Sequence, residues 1–176
     1  MISLKIDDSI VLKQLEKSDA TDIYATINSQ RSYLGKWLPF VQYTKKIADT
    51  QNFVNSIVDA PKNKFEYVFT IQYNNTFVGL ISFKNTSRKL SETEIGYWLS
   101  SKFQKKGIIT KSVNALTKFA FEELKLNKIL IKCAVGNIPS KKIPQHLNFT
   151  FEGTEKKAEL LSNNNYVDLE VYSKLK

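Results

Sequence analysis

The run Glu92-Thr-Glu-Ile-Gly-Tyr-Trp-Leu99, followed by Ser101-Lys-Phe-Gln-Lys-Lys-Gly107 and Ile108-Ile-Thr110, decides the reading of this chain. Its first eight residues read as a strand that ends just before a lysine-rich loop. A long helix is predicted from Ile108, with Ile109, Val113, Leu116, Ala120 and Leu124 as its apolar stripe. A loop between a strand end and a helix start suits a phosphate. The first N–H groups of a helix lack intrahelical partners and carry partial positive charge. Gly107 removes the side chain that would block close approach, Lys105 and Lys106 add charge, and Thr110 offers a hydroxyl. The segment is not a P-loop, whose glycine is followed directly by Lys and Ser/Thr, nor a dinucleotide fingerprint with three spaced glycines. On spacing alone, a solvated loop with a helix-start glycine is the simpler reading.

On the N-terminal side, Ile2 to Leu15 alternates apolar and polar residues around Asp7-Asp8 and predicts paired strands or one bent strand. Ser18 reads as an N-cap ahead of a helix carrying Ala20, Ile23, Tyr24 and Ile27 on one face. A loop around Trp37-Leu-Pro-Phe40 precedes a helix predicted over Ile47 to Val58, burying Val54, Ile57 and Val58. Phe65 to Tyr73 alternates with period two, and Asn74-Asn75 turns the chain back into a hairpin partner, Thr76 to Phe83. On the C-terminal side come a strand over Lys128 to Ala134, a short helix over Asn137 to Leu147, and two strands near Phe149–Lys157 and Tyr166–Leu175. Antiparallel strands followed by a strand–helix–strand unit predict an α+β domain, one mixed and partly parallel sheet flanked by helices, spanning 1–176.

A length of 176 residues suits one domain without disulfide or metal staples. Cys133, the single cysteine, lies in an apolar run and reads as a structural thiol; with one histidine, His146, a zinc site or a Ser/His/Asp triad has little material. No metal is expected. No apolar run approaches the ~18 residues of a membrane span, and the start MISLKIDDSIVLKQL lacks the pattern of a signal peptide, so a cytoplasmic location without membrane contact is expected. The net charge of +9 points to an anionic partner. Its carriers are scattered lysines, with Arg31 and Arg88 the only arginines, which argues against nucleic-acid binding.

Glu94-Ile-Gly-Tyr-Trp-Leu99 with Gln104-x-x-Gly107-Ile-Ile-Thr110 resembles the GNAT acetyltransferase superfamily, in particular its RimJ/RimL-like branch of ribosomal-protein N-acetyltransferases. The resemblance continues through Asn137-x-x-Ser140, Phe149-x-x-Glu152-Gly153 and Ala158-Glu159-Leu160, and upstream through Trp37-Leu-Pro. Three residues depart from the pattern. Ile109 stands where the general superfamily loop has a second small residue, though an Ile-Ile pair after the glycine is compatible with the RimL-like subgroup. Asn148 stands where a glycine is usual, and asparagine tolerates the left-handed turn; Pro144 predicts a kinked or shortened helix near Ser140.

The resemblance implies attack of a primary amine on the thioester of acetyl-CoA, the co-substrate. Gln104, Lys105, Lys106, Gly107, Ile108, Ile109 and Thr110 would hold its pyrophosphate, and the backbone near Trp98 and Leu99, with Asn137, its pantetheine arm. By the same resemblance Ser140 would protonate the departing sulfur and Glu159 would act as general base, with Glu94 a second candidate that could instead face solvent. The implied acceptor is a protein N-terminus, an acidic ribosomal protein among the partners. A protein α-amine titrates near ~7.7–8.0, so roughly one in ten is neutral at pH 7, against well under one in a thousand for a lysine near ~10.4. Two alternatives stay open: a small-amine (polyamine or aminoglycoside) acetyltransferase, which an acidic cleft would favour, and a non-catalytic acyl-CoA-binding domain. The aromatic stretch Trp37–Phe40 suits either a homodimer contact or a substrate cleft.

Overall fold

The computed structural model describes residues 1–61 and 67–176. The opening alternation forms two antiparallel strands, β1 (Ser3–Lys5) and β2 (Ile10–Gln14), across a turn that Asp7 organises. The Asp7 carboxylate accepts from the backbone N–H groups of Ser9 and Ile10, each at 2.9 Å. A 3-10 turn (Lys17–Asp19) leads into α1 (Ala20–Ser29), then a four-residue helix α2 (Arg31–Leu34), a second 3-10 turn (Pro39–Gln42) and α3 (Ile47–Val58). The centre is β3 (Val68–Tyr73), β4 (Thr76–Ser87) and β5 (Glu92–Leu99). After it come α4 (Ile108–Glu122), β6 (Lys128–Ala134), α5 (Ile138–His146), β7 (Thr150–Leu160) and β8 (Tyr166–Leu175).

These strands form one sheet in the order β1-β2-β3-β4-β5-β6-β8-β7, in which β5 and β6 are the parallel pair and every other pairing is antiparallel. The crossover α4 makes that parallel pair possible, as the strand–helix–strand pattern predicted. Alternation along the strands divides the core between two faces. Phe69, Ile71, Ile81, Phe83 and Ile95 pack with Ile108, Val113, Leu116 and Ala120 of α4. Val68, Leu80 and Trp98 pack on the other face with Ala20, Ile23 and Ile27 of α1 and Val54 of α3. Three layers result: α1 and α3, the sheet, then α4 and α5.

Several expectations change in detail. Ser18 is no N-cap: it lies inside the 3-10 turn, and the Asp19 carboxylate instead accepts from the Glu16 N–H at 2.8 Å. The expected loop around Trp37 contains α2 and the second 3-10 turn, pinned by the Arg31 guanidinium, which donates to the carbonyls of Val41 and Thr44. In α3 Val54 is buried and Ile57 partly so, but Val58, at the last turn, is exposed. Ile108 rather than Ile109 heads the buried stripe of α4, and the helix ends at Glu122, leaving Leu124 beyond it. The predicted strand start at 65–66 lies outside the described residues. Asn74 and Asn75 both hold positive φ (48° and 60°), as a tight hairpin turn requires. Asn148 adopts the left-handed conformation expected of it, with φ 57°. The strand predicted to end at Lys157 continues through a bulge between Glu155 and Glu159 to Leu160. No helix among the described residues is long and apolar enough to cross a membrane.

Candidate active site

The parallel pairing of β5 with β6 covers only Glu92, Thr93 and Glu94, opposite Lys128, Ile129 and Leu130. Beyond Glu94 the two strands part, while Tyr97, Trp98 and Leu99 stay paired on their other side with Ile81, Leu80 and Gly79 of β4. The split leaves a strand edge open toward β6. Gly79 keeps β4 against β5 here, since a Cβ on it would meet the Trp98 carbonyl oxygen at 2.2 Å.

β5 leads through a 3-10 turn (Ser101–Phe103) into the lysine-rich loop. Gly107 is the residue before α4 and is left-handed, with φ 70° and ψ 5°; Lys105, two residues earlier, is left-handed too, with φ 61°. The first N–H groups of α4 lack intrahelical partners and open into the space before the helix, which makes this end suited to an anion. The space beyond the Gly107 Cα is open. The Lys106 ammonium lies over the rings of Tyr73 (5.1 Å) and Phe103 (5.5 Å). The loop is also braced from Gln30, the residue between α1 and α2. Gln30 donates through Nε2 to Ser100 Oγ at 2.9 Å, while its Oε1 accepts from the Ser101 N–H at 2.8 Å and the Ser101 hydroxyl at 2.9 Å. Gln104 donates to the Tyr33 hydroxyl of α2. Gln30 and Tyr33 carry no sequence signal, because their function depends on a fold that brings residues about seventy apart into contact.

Two cavities of about 540 Å³ each adjoin at the split. One follows Leu99 and Gln104 to Thr110, so every predicted pyrophosphate residue lines it. The other is walled by Trp37, Phe40 and Phe53 and by Lys84, Lys132 and Glu159. Trp98, Tyr97, Asn137 and Ser140 line both. Asn137 is the N-cap of α5, its side-chain oxygen accepting from the Ser140 N–H at 3.4 Å. An open strand edge, a helix N-terminus and a long cavity fit an extended polar arm ending in a pyrophosphate.

The two carboxylates differ in kind. Glu94 is buried, 5% exposed, and takes Lys84 as an ion pair at 2.8 Å and Asn85 as a donor at 3.2 Å. It therefore does not face solvent. The stem of Lys84 crosses Gly96, where a Cβ would meet its Cε at 3.2 Å. Glu159 is half-buried and lies on the wall of the second cavity. Burial pushes its pKa up from the ordinary 4.5, opposed by the charge of Lys84 and reinforced by that of Glu94. A carboxylate with a raised pKa in a cavity is equipped to take a proton. The two lysines on this wall are each paired with a carboxylate, Lys84 with Glu94 at 2.8 Å and Lys132 with Glu155 at 2.7 Å, and Asp49 lines the same cavity as Glu159.

Cys133 is buried and its thiol is pushed up in pKa by that burial, consistent with a structural role. His146 is exposed at the end of α5.

Residues 9–150 match the family described as the Acetyltransferase (GNAT) domain. YdaF of Bacillus subtilis (strain 168), a candidate ribosomal N-acetyltransferase, is 34% identical over 180 residues, covering 100% of this chain and 96% of that protein. The ribosomal-protein-serine acetyltransferase of Escherichia coli (strain K12) is 28% identical over 173 residues, covering 98% and 96%. Among solved structures, RimL, a ribosomal L7/L12 alpha-N-protein acetyltransferase in complex with coenzyme A, superposes with a TM-score of 0.94 at 25% identity over 99% of this chain and 98% of that one.

Proposed function

The chain belongs to the GNAT acetyltransferase family, and from that premise we propose that it transfers the acetyl group of acetyl-CoA to the N-terminal α-amine of a protein, with a ribosomal protein as the acceptor. The observation that carries this reading is the meeting of two unlike cavities at Ser140, one edged by backbone donors and the other holding Glu159. Relatives named for ribosomal-protein acetylation support the acceptor class, and the net charge of +9 favours an acidic protein partner.

When bound, acetyl-CoA supplies an activated thioester carbonyl to a neutral amine. The N–H groups from Lys105 to Thr110 hold the anionic end, and the open edge near Trp98 and Leu99 orients the arm together with Asn137. Glu159 takes the proton that the incoming ammonium must lose. Ser140 Oγ delivers a proton at the junction of the cavities. Glu94, tied to Lys84 and Asn85, acts on Glu159 through its charge and does not itself border the cavity. The aromatic wall of Trp37 and Phe40 excludes water from the amine.

A panel of N-terminal peptides, the same peptides with blocked α-amines but free lysines, polyamines and aminoglycosides tests the acceptor through acetyl-CoA-dependent CoA release. Turnover is expected only with free α-amines. Turnover with blocked peptides or small polyamines, and none with free N-termini, overturns the reading.

A further inference from the structure

Pro144 is buried inside α5, and the helix continues past it to His146 instead of stopping. In an α-helix the N–H of residue 144 bonds the carbonyl of residue 140. Proline has no N–H, so the Ser140 carbonyl lacks that partner. Tyr97, from β5, stands in the vacated place. Its hydroxyl oxygen is 3.1 Å from the Ser140 carbonyl oxygen and 3.3 Å from Ser140 Oγ.

A phenol has one proton to give, and a carbonyl oxygen can only accept. The Tyr97 proton therefore goes to the Ser140 carbonyl, and its oxygen presents only lone pairs to Ser140 Oγ. The remaining neighbour of Oγ is Cys133 Sγ at 3.4 Å, a weak acceptor. The Ser140 hydroxyl is thus oriented by a tyrosine that is itself anchored to the backbone of the same serine. Without Pro144 a helical N–H would compete with the tyrosine for that carbonyl.

We infer that Tyr97 is a positioning residue for the Ser140 hydroxyl, and that Pro144 creates its seat by removing the helical N–H that would otherwise compete for the Ser140 carbonyl. This inference rests on the reading of Ser140 as the proton donor. Tyr97 does not give up its proton in the reaction; burial also pushes its pKa far above the ordinary phenol value.

The test is a double-mutant cycle on Tyr97→Phe and Pro144→Ala, with Ser140→Ala beside it. Two readouts are taken: the denaturant midpoint of the protein without acetyl-CoA, and kcat and KM for acetyl-CoA. Tyr97→Phe alone is expected to lower the midpoint and to reduce kcat about 10-fold, with KM changed less than about 2-fold, as for a misplaced catalytic group. Pro144→Ala alone is expected to reduce kcat similarly, because the new N–H displaces the tyrosine. In the Ala background Tyr97→Phe then lowers kcat by no more than about 2-fold further and leaves the midpoint unchanged. Effects that multiply in kcat and add in the midpoint overturn the inference, and so does a Tyr97→Phe change confined to KM. If Ser140→Ala keeps full kcat, the proton-donor reading fails; the midpoints without acetyl-CoA still report whether Tyr97 and Pro144 are coupled.

Discussion

The two ends of the cleft are made of different material. The end proposed for the pyrophosphate is made of main chain: two left-handed residues, the first turn of α4 and an unpaired strand edge. The acceptor end is made of side chains from many elements, with Glu159 from β7, Lys84 from β4, Tyr97 from β5 and Ser140 from α5. A main-chain site depends on backbone conformation and tolerates changes in charge. A side-chain site depends on the identity of each group and on its neighbours' charges.

The largest expected effect tests the first half of that contrast. Gly107→Val forces a β-branched residue to φ 70° and places its side chain in the open space before α4. Left-handed backbone costs about 1–2 kcal/mol for an L-residue, and the blocked approach adds to it. Acetyl-CoA affinity by calorimetry is expected to fall by more than about 100-fold, with the fold retained. If affinity stays within a few-fold, the main-chain account is wrong.

Next in size is Glu159→Gln, expected to lower kcat by about 100-fold, the scale of a lost general base. In the parent enzyme kcat/KM should rise with pH through the raised pKa of Glu159, and the variant should lack that limb. Stability moves the opposite way. A carboxylate whose folded pKa is raised contributes stability that is fully present below its unfolded value, near 4.5, and is lost as pH rises through the folded value. Glu159→Gln should then be relatively more stable than the parent at neutral pH and no more stable in acid. Thermal unfolding at pH 3.5 and pH 7.5 separates the two.

A smaller effect tests how far the acceptor end works as a charge cluster. Glu94→Gln removes a charge that raises the Glu159 pKa and leaves Lys84, which lowers it, without its partner. The alkaline rise of kcat/KM should shift to lower pH, with kcat reduced about 3- to 10-fold for a lost positioning charge. An unshifted profile would mean that Glu94 does not act on Glu159. The smallest effect returns to the main-chain end: Lys105→Asn keeps a residue that tolerates φ 61° and removes one exposed charge. Acetyl-CoA affinity should weaken only about 2- to 5-fold, the range of an exposed ion contact.

The same contrast governs what the sequence reveals. The loop from Gln104 to Thr110 was legible as a candidate because a glycine, a strand end and a helix start all leave local marks, and Glu92–Leu99, Lys128–Ala134 and Tyr166–Leu175 fold with the bounds their alternation predicts. Its brace from Gln30 was not legible. At the acceptor end Glu159 and Ser140 could be singled out only through resemblance. The pairing of Lys84 with Glu94 depends on β4–β5 register, which no local pattern encodes. α2 escaped because four residues show no helical period, and a tertiary contact from Arg31 holds it. Pro144 read as a disruption near Ser140; only the approach of Tyr97 across 43 residues shows how the vacated carbonyl is used.

The brackets from Gln30 to Ser100 and Ser101 carry a consequence in time. A loop already fastened to Gln30 has little freedom left to lose when a ligand arrives, so capture need not wait for closure. Association is then governed by diffusion and by the attraction of a basic protein for a polyanion, and it slows as salt screens that attraction. The looser those brackets, the more of the binding energy goes into ordering the loop, so Gln30 bears on residence time as well as on affinity.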